Sequence, residues 1–574
     1  MKRFALAALL TLAAASAGAQ TMSEALTYSV NEYYGTARSI ALGGAMTALG
    51  GDLGSIGINP AGSAVAPYSQ FTISPGVTIL SNTSGYSTSY SQDYAGYVDY
   101  RANKFNIPNF GFTLRFDTYN SSMKSFTLGF LSNATSHFMN DFVGQGVNSE
   151  TSLLGSFAAG AASYKPSELI DRNGWFSSGI PWNYLAAYQG GMIAEAYTEY
   201  GQPMIDADGN YTYLGATEAM TRNSDGSYDI RTQGPLDQYS RVQTFGAKYD
   251  LLMNIGMNFN DNFFVGFNLG MPIATYRYSE YMDEYAVDPS DFEMEYADGV
   301  ITSFDGAEYQ YSQTSEVAGV YLKAGFIWNP FTGLRVGAAF QTPTFMNVSD
   351  SWDVSALTKF TSSSYDTSVQ SPTNDFKYNL ITPWRFNAGL AYTFGGFGLV
   401  SADFEMADYG SMRFTQADDY YSDSRAFKVE NDVNRYFAGK EYTGRFGVEV
   451  RPVPSLSVRA GYSIRTSPEY YGIDKNGEKY TAAGYLGYID EFEHGQNYIV
   501  RKTPFGDIFS TYSCGLGYSS GGSFFADLAC RLAKYPSGYF NPYSDYITGG
   551  DEFLPEVVQT RTLSDIVLTL GWRF

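Results

Sequence analysis

The chain has 574 residues, a formal net charge of −22 and only 16% charged residues, against 49 Tyr, 41 Phe and 60 Gly. The sign of that charge excludes nucleic acid as a partner. Two Cys are too few for a disulfide-built secreted protein, and so little charge is unusual for a soluble chain of this length.

The N-terminus reads as an export signal. Basic Met1-Lys2-Arg3 precedes an apolar run from Phe4 to Ala15, and Ala17-Gly18-Ala19 offers a cleavage site ahead of Gln20. No cysteine follows that site, so a lipid-anchored N-terminus is not expected. No later run approaches the roughly 18 apolar residues of a spanning helix. Residues 1–19 are therefore assigned to a signal peptide, 20–67 to a Gly- and Ala-rich segment, and 68–574 to a strand-rich body without a linker.

From residue 68 onward the pattern is period-two alternation with short and long connections in turn. Phe110, Phe112, Leu114 and Phe116 alternate with Gly111, Thr113 and Arg115, and a short turn near Asn120 leads to Phe126, Leu128 and Phe130. Asn260-Asp261-Asn262 joins two longer runs, and further tight turns fall at Asn329–Gly333, Gly395-Gly396, Pro452–Ser455 and Gly521-Gly522. With a first strand over 68–81 and a terminal one, the count is fourteen. An even count puts both termini on the periplasmic side, with six short turns there. Seven outer loops are expected at 82–104, 135–238, 281–312, 349–375, 417–439, 471–505 and 536–560.

One parity of these strands is free of charge: Trp384, Phe386, Leu390 and Tyr392, or Val458, Ala460, Tyr462 and Ile464. The other holds Lys248, Asp250, Lys323, Arg335, Arg385, Asp403, Glu405, Arg445, Glu449, Arg459, Asp527 and Arg531. A Lys or Arg facing lipid at mid-bilayer costs roughly 2–4 kcal/mol, which explains the segregation. The tail continues it, with Ile566, Leu568, Leu570, Trp572 and Phe574 on one face. The reading is an all-β fold: a fourteen-stranded antiparallel transmembrane β-barrel in a Gram-negative outer membrane.

Such a barrel is too wide for wall side chains to fill, and residues 20–67 are the natural filler, as an N-terminal hatch. A disordered periplasmic arm is the other reading. The segment carries Gly35-Thr36-Ala37-Arg38, Gly43-Gly44-Ala45 and Asn59-Pro60-Ala61. Together with Leu334 to Pro343, Thr382 to Tyr392, Ala402-Asp403-Phe404 and Leu456 to Tyr462, it makes the chain resemble the FadL/TodX outer-membrane transporters of hydrophobic compounds. The long loops are similar to Bacteroidetes versions. The resemblance implies a hatch-closed barrel in which ligand passes from outer loops to lumen and leaves sideways through a gap at a kinked strand.

Site candidates follow, each with a plainer reading. Asn59, Pro60 and Ala61 key the hatch to the wall, or form an ordinary turn. Leu153, Leu154, Phe157, Trp175, Phe176 and Trp182 make a ligand-capture surface in loop 135–238, or pack on one another as a cap. Arg385, Arg445 and Arg459 offer lumen cations to a fatty-acid carboxylate, or bridge to Asp403, Glu405 and Glu449. The acidic loop 281–312 suits divalent cations at a lipopolysaccharide surface, or is simply solvated. His137 and His494, both in expected loops, are too few for a haem or zinc site. No hydrolase or nucleotide motif occurs, so no enzyme, cofactor or metal is expected. Cys514 and Cys530 share the lipid-side parity of the last hairpin, and parity leaves a disulfide undecided.

The expected function is passive, gated transport of hydrophobic small molecules, foremost long-chain fatty acids, by a monomer. Lipopolysaccharide, outer-membrane lipid and the barrel-assembly machinery are the expected partners. A structural or secretion-associated barrel that binds proteins through its loops, and a general porin, are the alternatives.

Overall fold

The computed structural model describes residues 21–574 except 89–95, 119–121, 171–173, 178, 199, 206–208, 225, 227, 296–298, 418–426, 483–498, 545 and 547–553. The expected signal peptide, the turn near Asn120 and His494 lie outside the described residues.

Fourteen antiparallel strands close into a ring. They are β1 Gln70–Ser87, β2 Tyr97–Asp117, β3 Met123–His137, β4 Leu236–Phe259, β5 Phe263–Ala286, β6 Ile301–Phe331 and β7 Leu334–Gln341. The other seven are β8 Arg385–Thr393, β9 Gly398–Asp408, β10 Lys440–Val453, β11 Leu456–Thr466, β12 Ile508–Ser519, β13 Phe524–Lys534 and β14 Glu556–Arg573. Each pairs with the next. β14 returns to β1, with Ile73 opposite Leu570 and Val77 opposite Ile566. Closure gives every ring strand a partner on each side.

The outward face is an apolar belt. Met253 and Ile255 on β4, Phe267, Leu269 and Ile273 on β5, Leu322, Phe326 and Trp328 on β6, and Ile566, Leu568 and Trp572 on β14 are all exposed. Lys248, Asp250, Lys323, Arg385, Glu405, Arg445, Arg459, Asp527 and Asp565 point inward and are buried. A continuous exposed apolar surface of this size requires lipid. The molecule is an outer-membrane β-barrel. Cys514 and Cys530 stand opposite each other between β12 and β13 as free, exposed thiols.

The strands outrun the expected loops. β1 reaches Ser87, β5 reaches Ala286, β6 begins at Ile301, and Phe345–Phe360 continues the wall beyond β7. Apolar-out alternation stops at the membrane margin while backbone pairing continues into water, so periodicity marks the belt and misses the strand ends. Pro343 and Pro383 interrupt the ladder at the same height because proline has no N–H to give. Threonines close the break: Thr382 N donates to Thr344 O at 3.0 Å, and Thr344 N donates to Thr382 Oγ1 at 3.2 Å.

Ahead of β1 the chain forms four short helices, α1 Met22–Ser29, α2 Ala37–Ala41, α3 Leu53–Ile56 and α4 Gly62–Val65. Side chains cap three of them. Thr21 and Glu24 exchange a capping box on α1, Thr36 caps α2, and Asp52 caps α3. Beyond the ring, α5 Leu153–Ala161 and α6 Trp182–Gln189 form an outer cap with its own apolar core, which includes Phe304 and Tyr309 of β6 and Trp352.

Candidate functional site

The four-helix segment is bound to inward-facing side chains from nearly every side of the ring. Asn254 on β4 donates to Pro60 O at 3.0 Å, Asn268 on β5 to Ile56 O at 2.8 Å, Lys323 on β6 to Gly57 O at 2.8 Å and Arg335 on β7 to Leu49 O at 2.6 Å. Thr47 N donates to Asp403 Oδ2 of β9 at 2.7 Å, and Ala37 N to Thr569 Oγ1 of β14 at 2.7 Å. Partners on opposing strands put the segment inside the barrel. Short helices leave many backbone groups unpaired, and the polar wall supplies the missing partners.

Asn59 makes three such hydrogen bonds. Its Nδ2 donates to Thr47 O at 2.7 Å and to the β6 carbonyl of Phe326 at 2.9 Å, while its Oδ1 accepts from Ala61 N at 3.1 Å. Pro60 and Ala61 lie against β5 and β6 because Gly266 and Gly325 carry no Cβ. A methyl at Gly266 would overlap the Pro60 carbonyl, and one at Gly325 would overlap Asn59 Oδ1. Glycines on β7 and β11 meet Thr47 and Gly43 in the same way. The wall therefore carries a groove cut to the backbone of the segment.

The lumen arginines are ion-paired. Arg385 Nη1 lies 3.1 Å and Arg445 Nη2 2.7 Å from the two oxygens of Glu405. Arg459 bridges Glu449, at 2.7 Å, and Asp527, and Arg38 of the segment reaches Glu449 at 3.1 Å. These pairs brace the wall under the segment, and Arg445 Nη1 is left buried without a hydrogen-bond partner.

Above the segment, between α1 and the wall, is a cavity of about 450 Å³. Met22 and Leu26 of α1 and Val30 just after it line the cavity with Phe138, Phe142, Tyr276 and Phe540. One side is polar, with Arg465, Arg561, Glu32 and Tyr535. Glu32 accepts from Arg531 at 3.1 Å and from the Tyr535 hydroxyl at 2.7 Å, and Arg465 lies 3.6 Å away. Arg561 differs from its neighbours. Its guanidinium sits 4.2 Å from the Tyr535 ring centre, its Nε is buried without an acceptor, and it makes no ion pair with any described residue. A site of this size, mostly apolar with one unpaired cation, suits a small amphiphile. Arg561 stands one residue past the expected loop 536–560, in a strand that begins earlier, at Glu556. Stepping by two from Asp565 would have placed it inward.

His137, expected in a loop, ends β3 and is buried edge-on against Tyr34 with ring centres 4.4 Å apart. Beside it β3 slips register between Ala134 and Ser136, and β2 pairs with β3 only over Asn109–Asp117. The outer half of β2 therefore has β1 as its ladder partner and a break in the wall on its other side.

The six aromatic and aliphatic candidates of loop 135–238 fall in the outer cap. Leu153, Leu154, Phe157, Trp175 and Trp182 are buried there, whereas Phe176 is 63% exposed. Trp175 and Phe176 both meet the Trp182 ring edge-on, at 5.2 and 5.6 Å. Among the described residues no group of three or more His, Cys, Asp and Glu is placed to hold a metal.

No protein-family model matches the chain. No curated protein matches it either. Solved structures with a similar trace include a Pseudomonas aeruginosa FadL homologue, at 10% identity over 95% of this chain and 100% of that one, with a TM-score of 0.49. The Pseudomonas putida toluene transporter TodX is 12% identical over 95% of this chain and 100% of its own, with a TM-score of 0.45. The CymD monoaromatic hydrocarbon channel is 11% identical over 95% and 98%, with a TM-score of 0.43.

Proposed function

We propose that the protein is a passive outer-membrane channel of the FadL/TodX type that carries hydrophobic small molecules, foremost long-chain fatty acids, with residues 20–67 as its hatch. The observation that carries this reading is the cavity itself, apolar along α1 and ending at the unpaired Arg561. An acyl chain lies against Met22, Leu26 and Phe138 while its carboxylate meets the guanidinium. Asn59, Pro60 and Ala61 hold the hatch closed through contacts that exchange with water at modest cost when ligand arrives. The wall break beside β3 supplies a sideways exit into the membrane, and Phe176 is one of the exposed apolar contacts of the cap, with Ile170 and Tyr200. With both termini periplasmic, the cavity faces the outer side of the hatch.

Uptake of labelled oleate and labelled toluene by cells with and without the protein tests this. Oleate uptake should depend on the protein, and Arg561→Gln should lower it roughly tenfold, as loss of a charge-assisted hydrogen bond does. Toluene uptake should change little in that variant. Equal oleate uptake with and without the protein would refute the reading.

A further inference from the structure

A second recess lies on the outside of the wall, near the end of β3. It is a groove of about 380 Å³ formed by Lys104 of β2, Phe245, Gly246 and Tyr249 of β4, and Ile273 and Arg277 of β5. The backbone makes it. Gly246 takes φ 137°, a conformation open to glycine, and its carbonyl accepts from Phe138 N at 3.2 Å. Lys104 Nζ donates to the same carbonyl at 3.3 Å and lies 4.1 Å from the Phe245 ring centre. That leaves two ammonium hydrogens free. Arg277 stands opposite Phe245 in the β4–β5 register, is exposed, and makes no ion pair with a described residue.

Two cations thus repel each other over one apolar floor with no carboxylate in its lining. The nearest acid along the register is Glu316 of β6, opposite Thr275, and it makes no ion pair with either. The height of the groove is also specific. Ile273 is exposed in the apolar belt and Arg277 follows four residues farther from the Asn260–Asn262 turn, at the level of lipid headgroups. With the short turns periplasmic, that leaflet is the outer one.

We propose that this groove binds the phosphate monoester of an outer-leaflet lipid, with Lys104 and Arg277 on the phosphate and an acyl chain over Phe245, Tyr249 and Ile273. Paired cations on an apolar floor fit a phosphate attached to a chain better than a free ion.

Native mass spectrometry of the purified barrel in mixed micelles with diphosphoryl lipid A tests the site. The wild type should retain one lipid A, and Lys104→Met with Arg277→Gln should weaken retention roughly tenfold or more. Retention of phosphatidylcholine, which has no monoester, should be the same in both. The exposed Arg277→Gln alone should fold normally and give a partial loss, which keeps the test valid if the double variant fails to assemble. Equal lipid A retention in wild type and variants would overturn the proposal. Displacement by millimolar inorganic phosphate would overturn the lipid assignment in favour of a free-anion site.

Discussion

Asn59 concentrates the hold on the inner segment in one amide. Replacing it with alanine leaves the carbonyls of Thr47 and Phe326 without that donor inside a dry joint, at about 1–3 kcal/mol for each group left unpaired. The ring should be unaffected, since its ladders do not pass through Asn59. Asn59→Ala in planar bilayers should therefore show intermittent openings with an unchanged unfolding temperature. Conductance as silent as wild type would show that the turn does not hold the segment. At this scale the sequence was partly legible. Asn-Pro-Ala is visible as a turn, and inward parity named Arg385, Arg445 and Arg459. What it could not give was which inward cations are already paired, because Glu405, Glu449 and Asp527 reach them across strands.

The elements of the outer cap pack by a different rule. α5 begins at Ser152, whose hydroxyl caps Leu154 N at 3.1 Å, and Glu284 of β5 accepts from Leu153 N at 2.7 Å. Farther along, Glu218 accepts from Gly215 N at 2.8 Å while buried in the cap. Burial pushes its carboxyl up from 4.5 to about 7. A raised value means the fold prefers the protonated form. The stabilisation is complete below about pH 4.5 and is lost as pH rises through about 7. Limited proteolysis should cut the cap faster at pH 8 than at pH 5, and Glu218→Gln should flatten that dependence. An unaltered pH profile in the variant would remove Glu218 as the cause. Strand existence and face were legible because lipid enforces alternation. The cap was not, because its helices are short and its aromatics satisfy a surface reading and a core reading equally until Trp352 and Phe304 are seen beneath them.

For the whole molecule, the ring and its contents are separable in energy. Strand pairing runs from β1 round to β14 without the segment, whereas the segment depends on the wall for its backbone partners. Deleting residues 21–60 should leave a heat-modifiable, folded barrel whose lumen fills with water and whose conductance rises to that of an open pore. A deletion variant that folds but conducts no more than wild type would mean that another element closes the lumen. The count of fourteen was readable because each hairpin has its own turn signal. The wall break beside β3 was not, since a one-residue slip between Ala134 and Ser136 leaves no mark in composition.

The glycine groove and its polar partners also constrain the order of assembly. Ala37 is 532 residues from the Thr569 hydroxyl it meets, and Pro60 is 194 from the Asn254 amide. Contacts so remote in the chain carry a large loop-closure cost until the intervening strands have paired. The segment that precedes every strand therefore has no surface to settle on before β14 meets β1. Its ordering reports closure of the seam. Until then its small residues and unpaired carbonyls stay in water, and the interior it later fills does not yet exist.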